Sequence, residues 1–227
     1  MMKKPELQPR LRMLADLVPP GARLADIGTD HGYVPAALLL EERIPSAIAS
    51  DIAEEPLRHA RRTAEEYGIG AGISFRLTPG LEGYRSGEAD CYLIAGMGGE
   101  TIAHILEAAP WLKKEAALLI LQPQTKQEEL RHWLTEHGYR IEKERLVLDK
   151  QVLYNIFLVR GGAAKQLSEL DAYRGVGLAD DPLYESYIEK QLRRLQQTTE
   201  GLMRGKGENR ARIEAFTALM KELEGEL

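Results

Sequence analysis

The sequence predicts an α/β protein: a doubly wound sheet of six or seven strands that binds its ligand at the strands' carboxyl ends, followed by an α-helical hairpin. Three observations carry this reading. Short apolar runs alternate with helical stripes as far as Arg160, which implies a largely parallel sheet covered on both faces. The first run ends in a glycine-bearing turn, Gly28 to Gly32, where open α/β sheets take their ligands. From residue 163 onward only helical periodicity remains. The expected division is a sheet domain over residues 1–162 and a helical coiled-coil domain over 163–227, with Gly161-Gly162-Ala163-Ala164 at the boundary.

The elements follow in order. Leu7, Leu11, Leu14 and Leu17 form a helical stripe that Pro19-Pro20-Gly21 stops. Arg23 to Ile27 reads as the first strand, Val34 to Glu42 as a helix, and Ser46 to Ser50 as the second strand. Glu54 to Tyr67 is a charged amphipathic helix. Further strands are expected at Ile73 to Leu77, Asp90 to Ala95 and Ala116 to Gln122, with helices at Glu100 to Ala108 and Lys126 to His137. Arg140 to Leu148 and Gln151 to Arg160, joined at Asp149-Lys150, break the alternation and imply an antiparallel edge. Beyond the boundary, Ile188, Leu192, Leu195, Thr199 and Leu202 recur at alternating heptad spacing. A second stripe runs through Ile213, Phe216, Leu219 or Met220, and Leu223. Two such helices joined by the glycine-punctuated turn Gly201 to Gly207 fold back as a hairpin.

The chain has 227 residues, 44% hydrophobic, with 30 basic and 35 acidic side chains and a net charge of −5. It carries no apolar run of membrane-spanning length. The polar start MMKKPELQPR has no apolar segment behind it, so a secretory signal is not expected and the cytoplasm is the expected location. Cys91 is the single cysteine, which excludes an intramolecular disulfide and cysteine-built zinc sites, and no metal is expected. The acidic balance argues against an overtly basic nucleic-acid binder but leaves room for local basic patches.

The chemistry is concentrated in Asp26-Ile27-Gly28-Thr29-Asp30-His31-Gly32-Tyr33. Glycine admits close approach of a ligand to the backbone. Asp51, at the end of the second strand, suits two hydrogen bonds to a ribose diol. A dinucleotide would require a G-x-G-x-x-G turn facing its pyrophosphate; here Asp26 and Asp30 would repel one. Two carboxylates suit a ligand with a positive end, such as the ammonium and sulfonium of S-adenosylmethionine. A second glycine run, Gly96-Met97-Gly98-Gly99, follows the fourth strand and would leave bare, mobile backbone facing the transferable methyl. Gln122-Pro123, closing the fifth strand, borders the same crevice and could present an amide to a base edge.

DIGTDHGYVP, AGMGGE and LQP, in this order and spacing, resemble the bacterial tRNA (adenine-22-N1)-methyltransferase family over nearly the whole chain. That family joins a Rossmann-like class I methyltransferase domain to a C-terminal helical coiled coil. The resemblance implies methyl transfer from S-adenosylmethionine to N1 of adenine 22 in tRNA. The cofactor residues it implies are Asp26, Gly28, Thr29, Asp30, His31, Gly32, Asp51, Ile52, Gly80, Ala95, Gly96, Met97 and Gly98. Two departures stand out: Pro79 of Thr78-Pro79-Gly80-Leu81 replaces an acid, and Asn155 follows Tyr154 where the family usually carries an acid.

Because N1 lies on the pairing edge, the base must leave any stack and enter the pocket. Tyr33 is the expected stacking residue, and Asp30 and His31 are expected to orient the base or stabilise the cationic product. The expected tRNA contacts are Gln122, Pro123, Asn155, Arg193, Arg194, Arg204, Lys206 and Arg210, the last three around the hairpin turn. A monomer or weak homodimer is expected. The competing readings are a class I methyltransferase acting on a small molecule or protein, and a catalytically silent S-adenosylmethionine- or RNA-binding module.

Overall fold

The central strands are apolar at successive positions, and because side chains alternate across a strand each one feeds two cores at once. Tyr92 and Ile94 point to one face with Ala25 and Ile27, where Ile102, Leu106, Leu130 and Leu134 cover them. Leu93 and Leu24 point to the other, against Leu14, Val34 and Leu38. A computed structural model describes residues 4–205 and 209–227 of this chain. Its strands are β1 (Leu24–Ile27), β2 (Ala47–Asp51), β3 (Ile73–Leu77), β4 (Cys91–Gly98), β5 (Leu118–Thr125), β6 (Tyr139–Asp149) and β7 (Val152–Gly161). Its helices are α1 (Pro9–Leu17), α2 (Tyr33–Leu40), α3 (Glu54–Glu66), α4 (Gly99–Glu107), α5 (Gln127–Glu136), α6 (Glu169–Arg174), α7 (Tyr184–Arg204) and α8 (Arg210–Glu224).

The seven strands form one sheet in the order β3-β2-β1-β4-β5-β7-β6. β3 through β5 are parallel, whereas β7 runs antiparallel to β5 and β6 antiparallel to β7. The order reverses between β1 and β4, so a crevice opens at their carboxyl ends. The β6–β7 hairpin turns on Lys150 and Gln151, at φ 46° and 66°, as a tight two-residue hairpin turn requires. No helix among the described residues is long and apolar enough to cross a membrane.

Two strands differ from expectation. β4 does not stop at Ala95 but continues to Gly98, with Met97 opposite Pro123 and Gly98 opposite Thr125 across two bulges. The glycine run is therefore held in the sheet instead of hanging free. β5 likewise runs past Gln122 to Thr125, even though Pro123 removes a ladder donor.

α6, which has no sequence periodicity to announce it, begins at Ser168, whose hydroxyl and Asp171 form a reciprocal capping box. α7 and α8 pack around Tyr184, Ile188, Leu195, Leu219 and Leu223, and Leu146 of β6 joins the same cluster. The chain after Gly162 thus rests on the antiparallel edge of the sheet.

Candidate active site

The turn after β1 is built by backbone conformations that few residues tolerate. Gly28 (φ 77°), Asp30 (φ 40°) and Gly32 (φ 67°) all lie in the left-handed region. The N–H groups of Gly28 and Thr29 both donate to Ser50 O at the end of β2, at 2.8 and 3.0 Å, which ties the turn to the neighbouring strand. A Cβ on Gly28 would overlap the terminal methyl of Met97. A Cβ on Gly32 would come within 3.1 Å of Ala60 in α3, so glycine is what lets α2 start this close to α3.

Two cavities meet at Gly28. One, of about 300 Å³, is walled by Asp26, Thr29, Asp30, His31, Tyr33, Ala95, Gly96 and Gln124, with Arg10 and Leu11 of α1 closing it. The other, of about 510 Å³, is walled by Asp51, Ile52, Pro79, Gly80, Met97 and His104, among others. Each has a carboxylate near the passage between them. Asp26 is buried and accepts a hydrogen bond from the Thr29 hydroxyl at 2.6 Å. Burial pushes its carboxyl up to about 6, against the lowering effect of Thr29 and with a small further push from Asp51. Asp51 is fixed through Oδ1, which accepts the Ala53 N–H at 2.8 Å. Ile52 stands exposed beside it at 72%, an apolar plate at the cavity mouth. Pro79 offers the second cavity no acid, but Glu82, which sequence reasoning passed over, lines the same wall.

At the mouth of the first cavity three rings stack in a row. His31 lies 5.2 Å from Tyr33 with planes 7° apart, and 4.8 Å from His59 of α3 with planes 9° apart. His59 lies 28 residues along the chain from His31, and only the fold brings the two together. The ligand atoms of Asp30, His31 and His59 lie within 4.8 Å of one another. Within this group the two imidazoles are stacked face to face.

The expected substrate residues divide sharply. Gln122 and Pro123 are buried and committed internally, a correction to the expectation that they face the substrate. Gln122 Oε1 accepts from Gly96 N at 3.2 Å and from Arg10 Nη1 at 3.0 Å, while its Nε2 donates to Pro123 O. Asn155 is likewise 1% exposed and donates to Glu144 at 2.6 Å, beneath the C-terminal helices; it has no surface to offer an RNA. Arg194 pairs with Glu128 and lies over Tyr173. Arg193, Arg204 and Arg210 are exposed, each paired within its own helix with Glu189, Glu200 and Glu214 respectively. Lys206 lies outside the described residues. A groove of about 440 Å³ leads from Gln124 along Lys126, Lys190, Arg194 and Arg212 towards the helices.

A Rossmann-like sheet with an acid-flanked glycine turn at its switch point defines a methyltransferase fold, and comparison with known proteins agrees. A family model described as a methyltransferase domain matches residues 7–157. The tRNA (adenine(22)-N(1))-methyltransferase of Bacillus subtilis (strain 168) is 35% identical over 190 residues, which cover 84% of this chain and 78% of that protein. The crystal structure of the B. subtilis m1A22 tRNA methyltransferase superposes with a TM-score of 0.84 at 31% identity, covering 96% of this chain and 98% of that one. A putative tRNA (m1A22) methyltransferase of Streptococcus pneumoniae, in complex with S-adenosyl-L-methionine, gives a TM-score of 0.83 at 31% identity, with 96% and 98% covered. The chain belongs to the tRNA (adenine(22)-N(1))-methyltransferase family.

Proposed function

We propose that this chain transfers a methyl group from S-adenosylmethionine to N1 of adenine 22 in tRNA. The observation that carries this reading is the pair of cavities meeting at Gly28, one holding Asp26 and Asp30 and the other Asp51. These residues fit the cofactor: Asp51 suits a ribose diol, Asp26 and Asp30 suit a cationic amino-acid end, and Gly28 keeps the backbone bare where the two halves join. The cofactor supplies an electrophilic methyl on a sulfonium centre.

Adenine N1 carries an in-plane lone pair at neutral pH, so the protein has no proton to remove before attack. Its work is to strip water from the base and hold N1 in line at near-attack distance. Tyr33, backed by His31 and His59, offers the base a stacking face. Asp30 and His31 line the same cavity as Tyr33, and their role in this reading is to stabilise the positive charge that grows on the methylated ring. The groove from Gln124 past Lys126 and Arg212, with the exposed Arg193, Arg204 and Arg210, gives the phosphate backbone a path to the helical unit over residues 163–227. We place the enzyme in the cytoplasm, as a monomer or weak homodimer that needs no metal.

The test is transfer of labelled methyl from S-adenosylmethionine to unmodified tRNA, with the product nucleoside identified by mass spectrometry. A parallel tRNA carries guanine in place of adenine 22. N1-methyladenosine that vanishes with the replacement is the expected result. Absence of incorporation despite cofactor binding overturns the reading.

A further inference from the structure

Gln122 and Gln124 both reach the α1 side of β5: Gln122 accepts from Arg10, and Gln124, the extra residue of the second β4–β5 bulge, lines a cavity with Arg10 and Leu11. Their fates differ with depth. Gln122 is fully buried, and its amide is spent on Gly96 N, Arg10 and Pro123 O. Gln127, the next amide along, is also buried and donates to Pro123 O. Gln124 is exposed at the rim of the first cavity, whose lining it shares with Tyr33 and His31, and its Nε2 is 3.8 Å from the place a Gly96 Cβ would occupy. Among the described residues its carboxamide has no hydrogen-bond partner, and it also lines the groove that holds Lys126, Lys190, Arg194 and Arg212 together with Glu128 and Glu129. It is the free amide at the junction of the base pocket and the RNA path.

The chemistry of the reaction restricts how such an amide can be used. N1 must face the methyl, so the pairing edge cannot carry the recognition. Adenine's remaining edge presents N6–H as donor and N7 as acceptor, and a carboxamide matches that pair with one acceptor and one donor. We infer that Gln124 reads the N6/N7 edge of the target adenine, selecting the base and orienting N1 towards the cofactor's methyl. This inference rests on the proposed transfer to adenine N1. It assigns to Gln124 a specificity role that Gln122 cannot fill.

The experiment compares wild type with Gln124→Met, a side chain of similar length that cannot hydrogen-bond. Each is assayed on tRNA carrying either adenosine or 7-deazaadenosine at position 22, with cofactor affinity measured in parallel. Wild type is expected to lose about tenfold in kcat/KM on the 7-deaza tRNA, the usual magnitude of one hydrogen bond. Q124M is expected to be slower on adenosine by at least as much, to bind the cofactor as wild type does, and to be indifferent to the 7-deaza change. A merely structural role for Gln124 leaves the 7-deaza penalty the same in both proteins, and that result overturns the inference. Wild type that methylates neither tRNA overturns the proposed function itself. Wild type that methylates both equally retains that function and removes the N7 contact.

Discussion

Arg131 of α5 and Glu144 of β6 form a two-pronged ion pair, Nε to Oε1 at 2.8 Å and Nη2 to Oε2 at 2.7 Å, with only 1% and 0% of their side chains exposed. Their remaining capacity is used by four neighbours, from α6, the loop after it, α7 and β7. Arg131 Nη1 donates to Ala172 O and Nη2 to the Tyr187 hydroxyl, while Glu144 accepts from Asn155 Nδ2 and Val176 N. Burial alone would lower the guanidinium, but the charge of Glu144 and the Tyr187 hydroxyl outweigh it and hold it above its ordinary value. The pair thus pins α6 and α7 to the sheet edge.

Removing one partner strands the other charge in a dry interior. Arg131→Ala is expected to cost about 3–5 kcal/mol of stability, which for a chain of this length lowers Tm by about 10 °C. Replacing both partners by apolar residues of similar volume, as in R131M/E144L, is expected to recover most of that loss. Thermal unfolding of the three proteins checks this. A double variant no better than R131A would mean that the network matters for the carbonyl and hydroxyl contacts and not for the charge pair.

This network was not legible in the sequence, and the reason is physical. Arg131 and Glu144 are ordinary surface residue types on an amphipathic helix and an edge strand, and what buries them comes from segments far along the chain. The sequence around Asn155 is equally compatible with a substrate contact, because nothing local to it announces the carboxylate it serves. The central strands were legible, since apolar runs such as Ala116 to Leu121 have few alternatives in an alternating chain. The ends of β4 and β5 were not, because Gly96, Gly98 and Pro123 are residues that usually stop strands, and here bulges absorb them. The turn residues from Asp26 to Gly32 stood out because each demands an unusual backbone or an unusual charge.

The elevated carboxyl of Asp26 gives a signed pH dependence. Its folded value of about 6 exceeds the ordinary aspartate value of about 3.9. Ionisation is therefore harder in the folded cofactor-free protein, and this group's stability contribution falls as pH rises from about 4 to 6. The size is about 3 kcal/mol. D26N carries a neutral group at every pH, so the Tm of wild type relative to D26N should decline across that window. Cofactor binding runs the other way. A cationic amino-acid end favours the carboxylate, so the Kd for S-adenosylmethionine should rise about tenfold per unit below pH 6 in wild type, and stay flat in D26N. Calorimetric titration from pH 5 to 8 decides between these; a flat wild-type profile removes Asp26 from the cofactor's charged end.

The ring stack separates binding of cofactor from binding of base. Tyr33 is 38% exposed and backed by His31, so its ring is supported from behind while an edge or face remains open. A base–aromatic stack is worth about 1–3 kcal/mol. Y33A should accordingly lose about tenfold to a hundredfold in kcat/KM for tRNA, with unchanged cofactor affinity, whereas Y33F, which keeps the ring, should lose far less. Equal losses in the two variants would point to the hydroxyl instead of the stack.

Salt dependence distinguishes the arginines that touch phosphate from those that hold the fold. Arg193, Arg204 and Arg210 have exposed side chains, at 63%, 81% and 92%, and among the described residues they pair with acids four residues away on their own helices. Such pairs contribute about 0.3–0.5 kcal/mol, so replacing these residues should leave Tm nearly unchanged. If each neutralises one phosphate, its removal should reduce the slope of log Kd for tRNA against log salt by about 0.7–0.9. Arg194 behaves differently, because it bridges α7 to Glu128 of α5 and stacks on Tyr173. R194A should lower Tm, and any loss of tRNA affinity should follow from displacement of the helices. Binding curves at several salt concentrations, taken with melting curves for each variant, separate the two roles. An unchanged slope in R193A, R204A and R210A alike would move the RNA contact off these helices and onto the groove lined by Lys126 and Arg212.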